Sequence, residues 1–147
     1  MIDVVEGDAI RRLLEKAART PELYRRLIIV SPFIDEYGWE LVTRSLRTRR
    51  GRVPRVTLVL RPDAVEKVSR WAGSRQDQFD IVVRQRLHAK VYALLGFRSA
   101  AHEAIITSSN LTAAGIEQNL ELGLTIRGAT DRLASMVERV GHFVTKG

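Results

Sequence analysis

The sequence contains no cysteine and no long apolar run, and these two absences narrow what the protein can be. None of its 147 residues is a cysteine, which excludes a disulfide framework and any metal site built from thiolates. No apolar stretch approaches the roughly 20 residues that a membrane-spanning helix needs, and the first residues do not resemble a secretory signal. We therefore expect a cytoplasmic protein that does not enter a membrane.

Histidine is also scarce, and its spacing does not suggest a metal site. The sequence has 3 histidines, and His102 and His142 are isolated from each other. Neither stands at metal-ligand spacing from another histidine or from a carboxylate cluster. We expect both to be surface or packing residues, and we expect no metal and no cofactor.

Acidic residues are outnumbered by basic ones, 17 against 24, which gives a net charge of +7 and a pI near 10.5. Such an excess suits a polyanionic partner, because basic side chains neutralise phosphates and release their counterions. The densest basic cluster follows a predicted helix, and arginine binds phosphate through paired N–H groups. A solvated loop is the alternative for this cluster. The residues that we expect to bind a nucleic-acid backbone are Arg47, Arg49, Arg50 and Arg52.

Length and composition fit one globular domain over residues 1–147, which could also be a part of a longer protein. Apolar residues recur at helical spacing in some segments and alternate with polar residues in others. The predicted helices are 8–19, 37–46, 63–71 and 131–144, with a helical turn at 111–116. The predicted strands are 27–30, 56–60, 79–83, 87–95, 104–107 and 119–126. This order predicts an α/β fold, a layered α/β/α sandwich around a mixed and mostly buried sheet.

Three polar motifs lie within or directly after predicted strands. His88 and Lys90 are two residues apart on an extended segment and therefore face the same side. Ser108 and Asn110 follow one strand, and Glu121 lies in another. If these motifs meet at one edge of the sheet, they combine a nucleophile, a cation, an amide donor and an orienting anion. That set could break a phosphodiester bond without a metal.

Together these motifs resemble those of the phospholipase D superfamily, and most closely those of its nuclease branch. The matching residues are His88 and Lys90 for H-x-K, Thr107, Ser108, Ser109 and Asn110 for G-S-x-N with threonine in place of glycine, and Asn119 and Glu121 for N-x-E. Residues 29–35 also resemble the family's first core strand. One position departs from the full H-x-K-x4-D form, because Leu95 stands where that form has aspartate. The resemblance covers about residues 8–145 and implies the family's layered mixed sheet.

The resemblance also implies a two-step displacement at phosphorus. His88 would be the nucleophile and would form a covalent phosphohistidine. Lys90, Asn110 and the Ser108 hydroxyl would stabilise the non-bridging oxygens. Glu121 would accept the second ring N–H of His88 and fix its tautomer, as the carboxylate does in a serine-protease triad.

This mechanism requires a second histidine as general acid, but the sequence contains a single H-x-K motif. A two-fold homodimer would bring His88 of each protomer to one composite site. We therefore expect a homodimeric, metal-independent nuclease, with DNA favoured over RNA. Two alternatives remain open. One is a catalytically inactive nucleic-acid-binding or dimerisation module of a helicase or restriction protein, and the other is a phosphatidyl hydrolase or transferase.

Overall fold

The computed structural model describes residues 1–6, 8–44 and 54–146, and in this part the chain forms seven strands and four α-helices. The strands are β1 (Ile2–Glu6), β2 (Tyr24–Val30), β3 (Arg55–Leu60), β4 (Phe79–Val83), β5 (Val91–Gly96), β6 (Glu103–Thr107) and β7 (Leu122–Arg127). The helices are α1 (Asp8–Arg19), α2 (Glu36–Arg44), α3 (Pro62–Ala72) and α4 (Asp131–Thr145). None of the four helices has the length and apolar composition that crossing a bilayer requires.

All seven strands belong to one mixed sheet with the order β1-β7-β6-β5-β2-β3-β4. Strands β2, β3 and β4 are parallel, whereas β5 pairs antiparallel with β2 and the remaining neighbours are also antiparallel. Two buried clusters lie on opposite faces of this sheet. Helices α1, α2 and α3 pack on one face around Leu27, Ile29 and Tyr92, and α4 packs on the other through Val137. The predicted α/β/α sandwich is therefore confirmed.

Most predicted elements agree with the structure to within one or two residues, and three strand starts were wrong. The strand predicted from Leu27 begins earlier, at Tyr24. The strand predicted from Leu87 begins at Val91, and the one predicted from Asn119 begins at Leu122. Residues 87–90 continue the alternation of faces but lie outside the paired register of β5 with its neighbours. The helical turn predicted at 111–116 is a π-helical turn at Ala114–Gln118. Strand β1 was not predicted, because most of its residues are exposed and only its pairing with β7 defines it.

Candidate functional site

The topology brings the three polar motifs to the same end of the sheet. Strands β2, β3, β4 and β6 finish at this end, and β5 and β7 begin there. We call it the motif end, and we call the opposite end, where β5 and β7 finish, the far end. Helices α2 and α3 begin at the motif end, so their positive N-terminal dipoles contribute to its potential. Charge and side-chain chemistry thus converge where a polyanion could approach.

His88 and Lys90 lie directly before β5 at this end. The alternation of faces persists here, because Leu87 and Val91 join the cluster under α4 while Tyr92 joins the opposite one. His88 is exposed and Lys90 is half-buried. The backbone at Lys90 is held by β6, since the Thr107 amide donates to its carbonyl at 3.1 Å. Neither side chain makes a hydrogen bond to any described residue, so both are available to a ligand.

Ser108, Asn119 and Glu121 form a hydrogen-bonded group beside the start of β7. The Ser108 hydroxyl donates to Glu121 Oε2, and the Asn119 amide donates to Glu121 Oε1 at 3.4 Å. Ser108 also extends the pairing of β6 with β7, because its amide donates to the Leu122 carbonyl at 3.1 Å. The structure therefore brings Glu121 to Ser108. It does not show the expected hydrogen bond from the His88 ring to Glu121.

Asn110 lies in a loop that is fixed by hydrogen bonds from buried side chains. The Tyr92 hydroxyl donates to the Ser109 carbonyl at 2.9 Å, and the Ser109 hydroxyl donates to the Gly115 carbonyl at 3.0 Å. A Cβ on Gly115 would lie 2.5 Å from the Asn110 carbonyl oxygen, so only glycine permits this approach. Asn110 Oδ1 is buried without a partner among the described residues. An unsatisfied buried acceptor is unfavourable for stability.

Tyr92 lies under this group and is completely buried. Burial raises the pKa of its phenol well above the ordinary value, and the negative charge of Glu121 raises that pKa further. The Tyr92 hydroxyl therefore remains a donor over the physiological range of pH. This residue supports the site from within the core, and the sequence signal for it was its position two residues after Lys90, on the same side of the extended segment.

Residues 29–35 resemble a core strand in sequence, but β2 ends at Val30, and the contacts of the loop that follows it were not predicted. The buried Ser31 hydroxyl donates to the Phe33 carbonyl at 2.6 Å and accepts from the Leu111 amide at 3.0 Å. Asp35 accepts from the amides of Gly38 and Ala113, both at 2.9 Å. This loop is therefore bonded to the Asn110 loop. An aspartate one residue before a helix was the only available signal, since it is a common helix cap.

Arg61 and Phe33 were also missed. Arg61 follows β3, and its Nε donates to the Leu87 carbonyl at 3.0 Å, directly before His88. Its guanidinium carbon lies 5.3 Å from the centroid of the Phe33 ring, which is half exposed. No pattern in the sequence indicated that these two side chains would meet.

The far end carries the second histidine in a different environment. His102 is buried, and its Nδ1 accepts from the Gly96 amide at 3.1 Å while Nε2 lies 2.8 Å from Glu138. The ring is thus the neutral Nε2–H tautomer that donates to Glu138. Next to it, Glu103 pairs with Lys16 at 2.6 Å and with Arg127 at 3.3 Å. His142 is exposed on α4.

Two further expectations concern cations. Arg47, Arg49, Arg50 and Arg52 lie outside the described residues, so the proposed backbone contacts remain a prediction. Within residues 1–6, 8–44 and 54–146, no three histidine or carboxylate side chains are grouped so that they could hold a metal ion.

Comparison with known proteins gives structural matches only. No protein-family model matches the sequence, and no curated protein matches it. NucT from Helicobacter pylori superposes with a TM-score of 0.63 at 10% identity, over 99% of this chain and 94% of NucT. Nuc from Salmonella typhimurium, a phospholipase D family member, gives 0.56 at 17% identity, over 95% of this chain and 90% of Nuc.

The same fold also occurs within a longer protein. TrmBL2, an archaeal chromatin protein whose structure shows a mode of DNA binding, gives a TM-score of 0.52 at 12% identity. The match covers 97% of this chain and 51% of TrmBL2. At these identities the likeness establishes a phospholipase D-like fold, and a fold alone does not assign an activity.

Proposed function

We propose that this protein is a metal-independent phosphodiesterase that cleaves nucleic acid, with DNA favoured over RNA, through a covalent intermediate on His88. One observation carries the proposal. The sheet topology places the segments with His88 and Lys90, Ser108 and Asn110, and Glu121 at one end of a phospholipase D-like fold. The net charge of +7 supports a polyanionic substrate.

His88 is suited to the role of nucleophile because its exposed ring has no hydrogen bond to the described residues. The lone pair of a ring nitrogen attacks phosphorus, the bond to the leaving oxygen breaks, and a second, protonated histidine gives its proton to that oxygen. Water then attacks the phosphohistidine and loses a proton to the second histidine. The N–P bond breaks, and its electron pair returns to His88.

The groups around His88 supply charge stabilisation and orientation. The Lys90 ammonium and the Asn110 amide would bind the non-bridging oxygens, whose charge grows in the transition state. Glu121 holds Ser108 through Oε2, but the 3.4 Å contact of Oε1 with Asn119 is longer than an ordinary N–H···O bond. Oε1 is therefore the oxygen that could accept the second ring N–H of His88 when substrate binds.

The second histidine comes, in this proposal, from another copy of the chain. His102 is unsuitable because both ring nitrogens are engaged at the far end of the sheet. A homodimer would instead contribute the partner's His88 to a composite site. This requirement also predicts that a surface for self-association adjoins the motif end.

An exposed apolar surface has the required position. Val4, Leu124 and Ile106 lie side by side on β1, β7 and β6, and between 42% and 60% of each is exposed. Leu122, exposed on the same face, directly follows Glu121, and a groove of about 760 Å³ beneath α4 reaches Ala89, between His88 and Lys90. Clustered exposed apolar residues are typical of protein interfaces. This surface lies on the α4 face of the sheet, and a second copy bound at its Leu122 end would adjoin the motif end.

The experiment is cleavage of labelled single- and double-stranded DNA and RNA in excess EDTA. We expect turnover by the wild type, none by His88→Ala, and nearly wild-type turnover by His142→Ala as the matched control. Strict dependence on added Mg²⁺, or full activity of His88→Ala, would contradict the mechanism. Loss in His142→Ala would identify that exposed residue as an acid within one chain.

A nucleic-acid-binding module without catalysis is the second candidate. It is favoured by the contact of Glu121 with Ser108 rather than with His88, together with Leu95 in place of the motif aspartate. Tight binding of DNA by the wild type, without turnover under any condition of the same experiment, would support this candidate instead.

A further inference from the structure

Phe33 is the exposed member of an otherwise buried loop. Pro32 and Ile34 on either side of it are buried, whereas 50% of Phe33 is exposed. Exposed aromatic residues are not unusual by themselves. Here, however, the ring stands at the motif end, where His88 and Lys90 also lie. The exposure of the Phe33 ring therefore has to be explained together with its place beside the candidate site.

The backbone that carries Phe33 is fixed on both sides. The Ser31 hydroxyl bonds the Phe33 carbonyl at 2.6 Å, and Ile34 forms a parallel bridge with Leu111 in the Asn110 loop. The Asp35 amide adds a hydrogen bond to the Leu111 carbonyl at 3.3 Å. A ring on such a backbone loses little conformational freedom when a ligand binds to it.

Arg61 connects this ring to the segment of the proposed nucleophile. Its guanidinium lies over the Phe33 ring at 5.3 Å, while its Nε is bonded to the carbonyl of Leu87, next to His88. In the described part of the chain, Arg61 and Lys90 have no carboxylate partner. The motif end therefore presents the Phe33 ring with the Arg61 guanidinium beside it. The Lys90 ammonium is a second cation, close to His88. This is the combination by which proteins hold an unpaired base and its phosphates.

We infer that Phe33 and Arg61 form a base-stacking subsite for a nucleotide next to the scissile phosphate, and that this subsite favours single-stranded nucleic acid. A base can lie on an aromatic ring only when it has left its own helical stack, and stacking accepts every base because each has a π-face. The inference rests on the proposed function, which supplies the nucleic-acid substrate. It adds the strand form and the residues that select it.

The test measures binding rather than cleavage, in His88→Ala protein, so that turnover does not interfere. The probes are a labelled thymidine 12-mer, an abasic 12-mer with the same phosphates, and a 12-base-pair duplex. We expect Phe33→Ala and Phe33→Leu to weaken binding of the thymidine strand about tenfold and to leave the other two probes nearly unchanged. Phe33→Trp should retain the affinity. Phe97→Ala is the matched control, because Phe97 is 52% exposed but lies past the far end of the sheet.

The outcomes separate this inference from the proposed function. If wild type binds thymidine and abasic strands equally, or if Phe33→Leu binds as Phe97→Ala does, the stacking subsite is wrong and the phosphodiesterase proposal is unaffected. If stacking is found but the protein with His88 intact never cleaves DNA, the inference holds and the catalytic proposal fails. If no probe binds at all, both are overturned.

Discussion

The two ends of the sheet carry the same types of residue in opposite conditions. At the far end His102, Lys16 and Glu103 are joined to partners, and His102 and Glu103 are buried. At the motif end His88 and Lys90 have no side-chain partner in the described residues, and the Asn110 oxygen is buried and unsatisfied. Polar groups whose hydrogen bonds are all made stabilise a fold. The presence of polar groups without partners has to be explained by something other than stability. Each of the first three predictions compares a substitution at the motif end with a substitution of the same residue type at the far end.

The largest contrast concerns the two histidines. We expect His88→Ala to lose cleavage by several orders of magnitude with its melting temperature almost unchanged, because the exposed ring has no hydrogen bond to any described residue. His102→Ala should keep turnover at low temperature but lose roughly 1–3 kcal/mol of stability, because the buried Gly96 amide loses its acceptor. Thermal unfolding and single-turnover cleavage measure the two effects. If His88→Ala were destabilised but active, the role of His88 would be structural and the assignment of catalysis to the motif end would be wrong.

The lysines give the next contrast. Lys90→Ala should reduce turnover by several orders of magnitude, since the cation that opposes developing phosphate charge is removed. Lys16→Ala should leave turnover unchanged and lower stability, because the buried Glu103 loses its partner at 2.6 Å. Cleavage of bis-p-nitrophenyl phosphate beside urea unfolding distinguishes them. Equal turnover of the two variants would remove Lys90 from the mechanism.

The glutamates provide a smaller and more specific effect. Glu121→Gln should fold normally but turn over more slowly, because an amide cannot stabilise the His88 imidazolium as a carboxylate does. Glu103→Gln should lower the free energy of unfolding instead, since two cations then lack a buried anion. If Glu121→Gln turns over at the wild-type rate across pH 5 to 8, Glu121 has no role in catalysis beyond its hydrogen bond with Ser108.

Subunit mixing gives a smaller expected change in activity and tests the shared site. If a composite site needs His88 from both protomers, equal mixing of wild type with His88→Ala should leave about a quarter of the activity, since only wild-type pairs work. Independent sites would leave about half. The assay follows joint refolding at fixed total protein, with sedimentation as the check on assembly. Activity near half would direct attention to His142 as the acid.

A fifth prediction concerns the arginine cluster. Neutralising Arg47, Arg49, Arg50 and Arg52 together should weaken DNA binding and flatten its dependence on salt, because fewer counterions are released. Hydrolysis of a small phosphodiester should hardly change. An unchanged salt slope would make the cluster a solvated loop.

The sequence predicted those features that depend on periodicity. Helix α1 and strand β4 have the bounds expected from their apolar patterns, and α1 buries its apolar residues at helical spacing. Along β7 apolar residues alternate with other residues, as predicted for a strand. Which face is buried could not be foreseen: Leu122 and Leu124 are exposed and Thr125 is buried, because α4 covers only part of that side.

The site was predictable in its residue types and in its location, but not in its contacts. Strand order places His88 and Glu121 at one end in any sheet of this topology. Whether Glu121 bonds Ser108 or His88 depends on side-chain placement within a few ångströms, which no spacing in the sequence encodes. Arg61 and Phe33 come from different loops, and their proximity follows only from the parallel pairing of β2 with β3.

Asp35 has a consequence for the entropy of binding. The Asp35 carboxylate accepts from the Gly38 amide in α2 and from the Ala113 amide, and so it adds to the bonds that join the loop with Phe33 to the loop with Asn110. Loops that become ordered only when a ligand binds reduce its affinity, because the conformational entropy that they lose makes the free energy of binding less favourable. Here that ordering occurs during folding. A substrate would therefore meet two loops already fixed relative to each other, and their amides should exchange hydrogen together rather than independently.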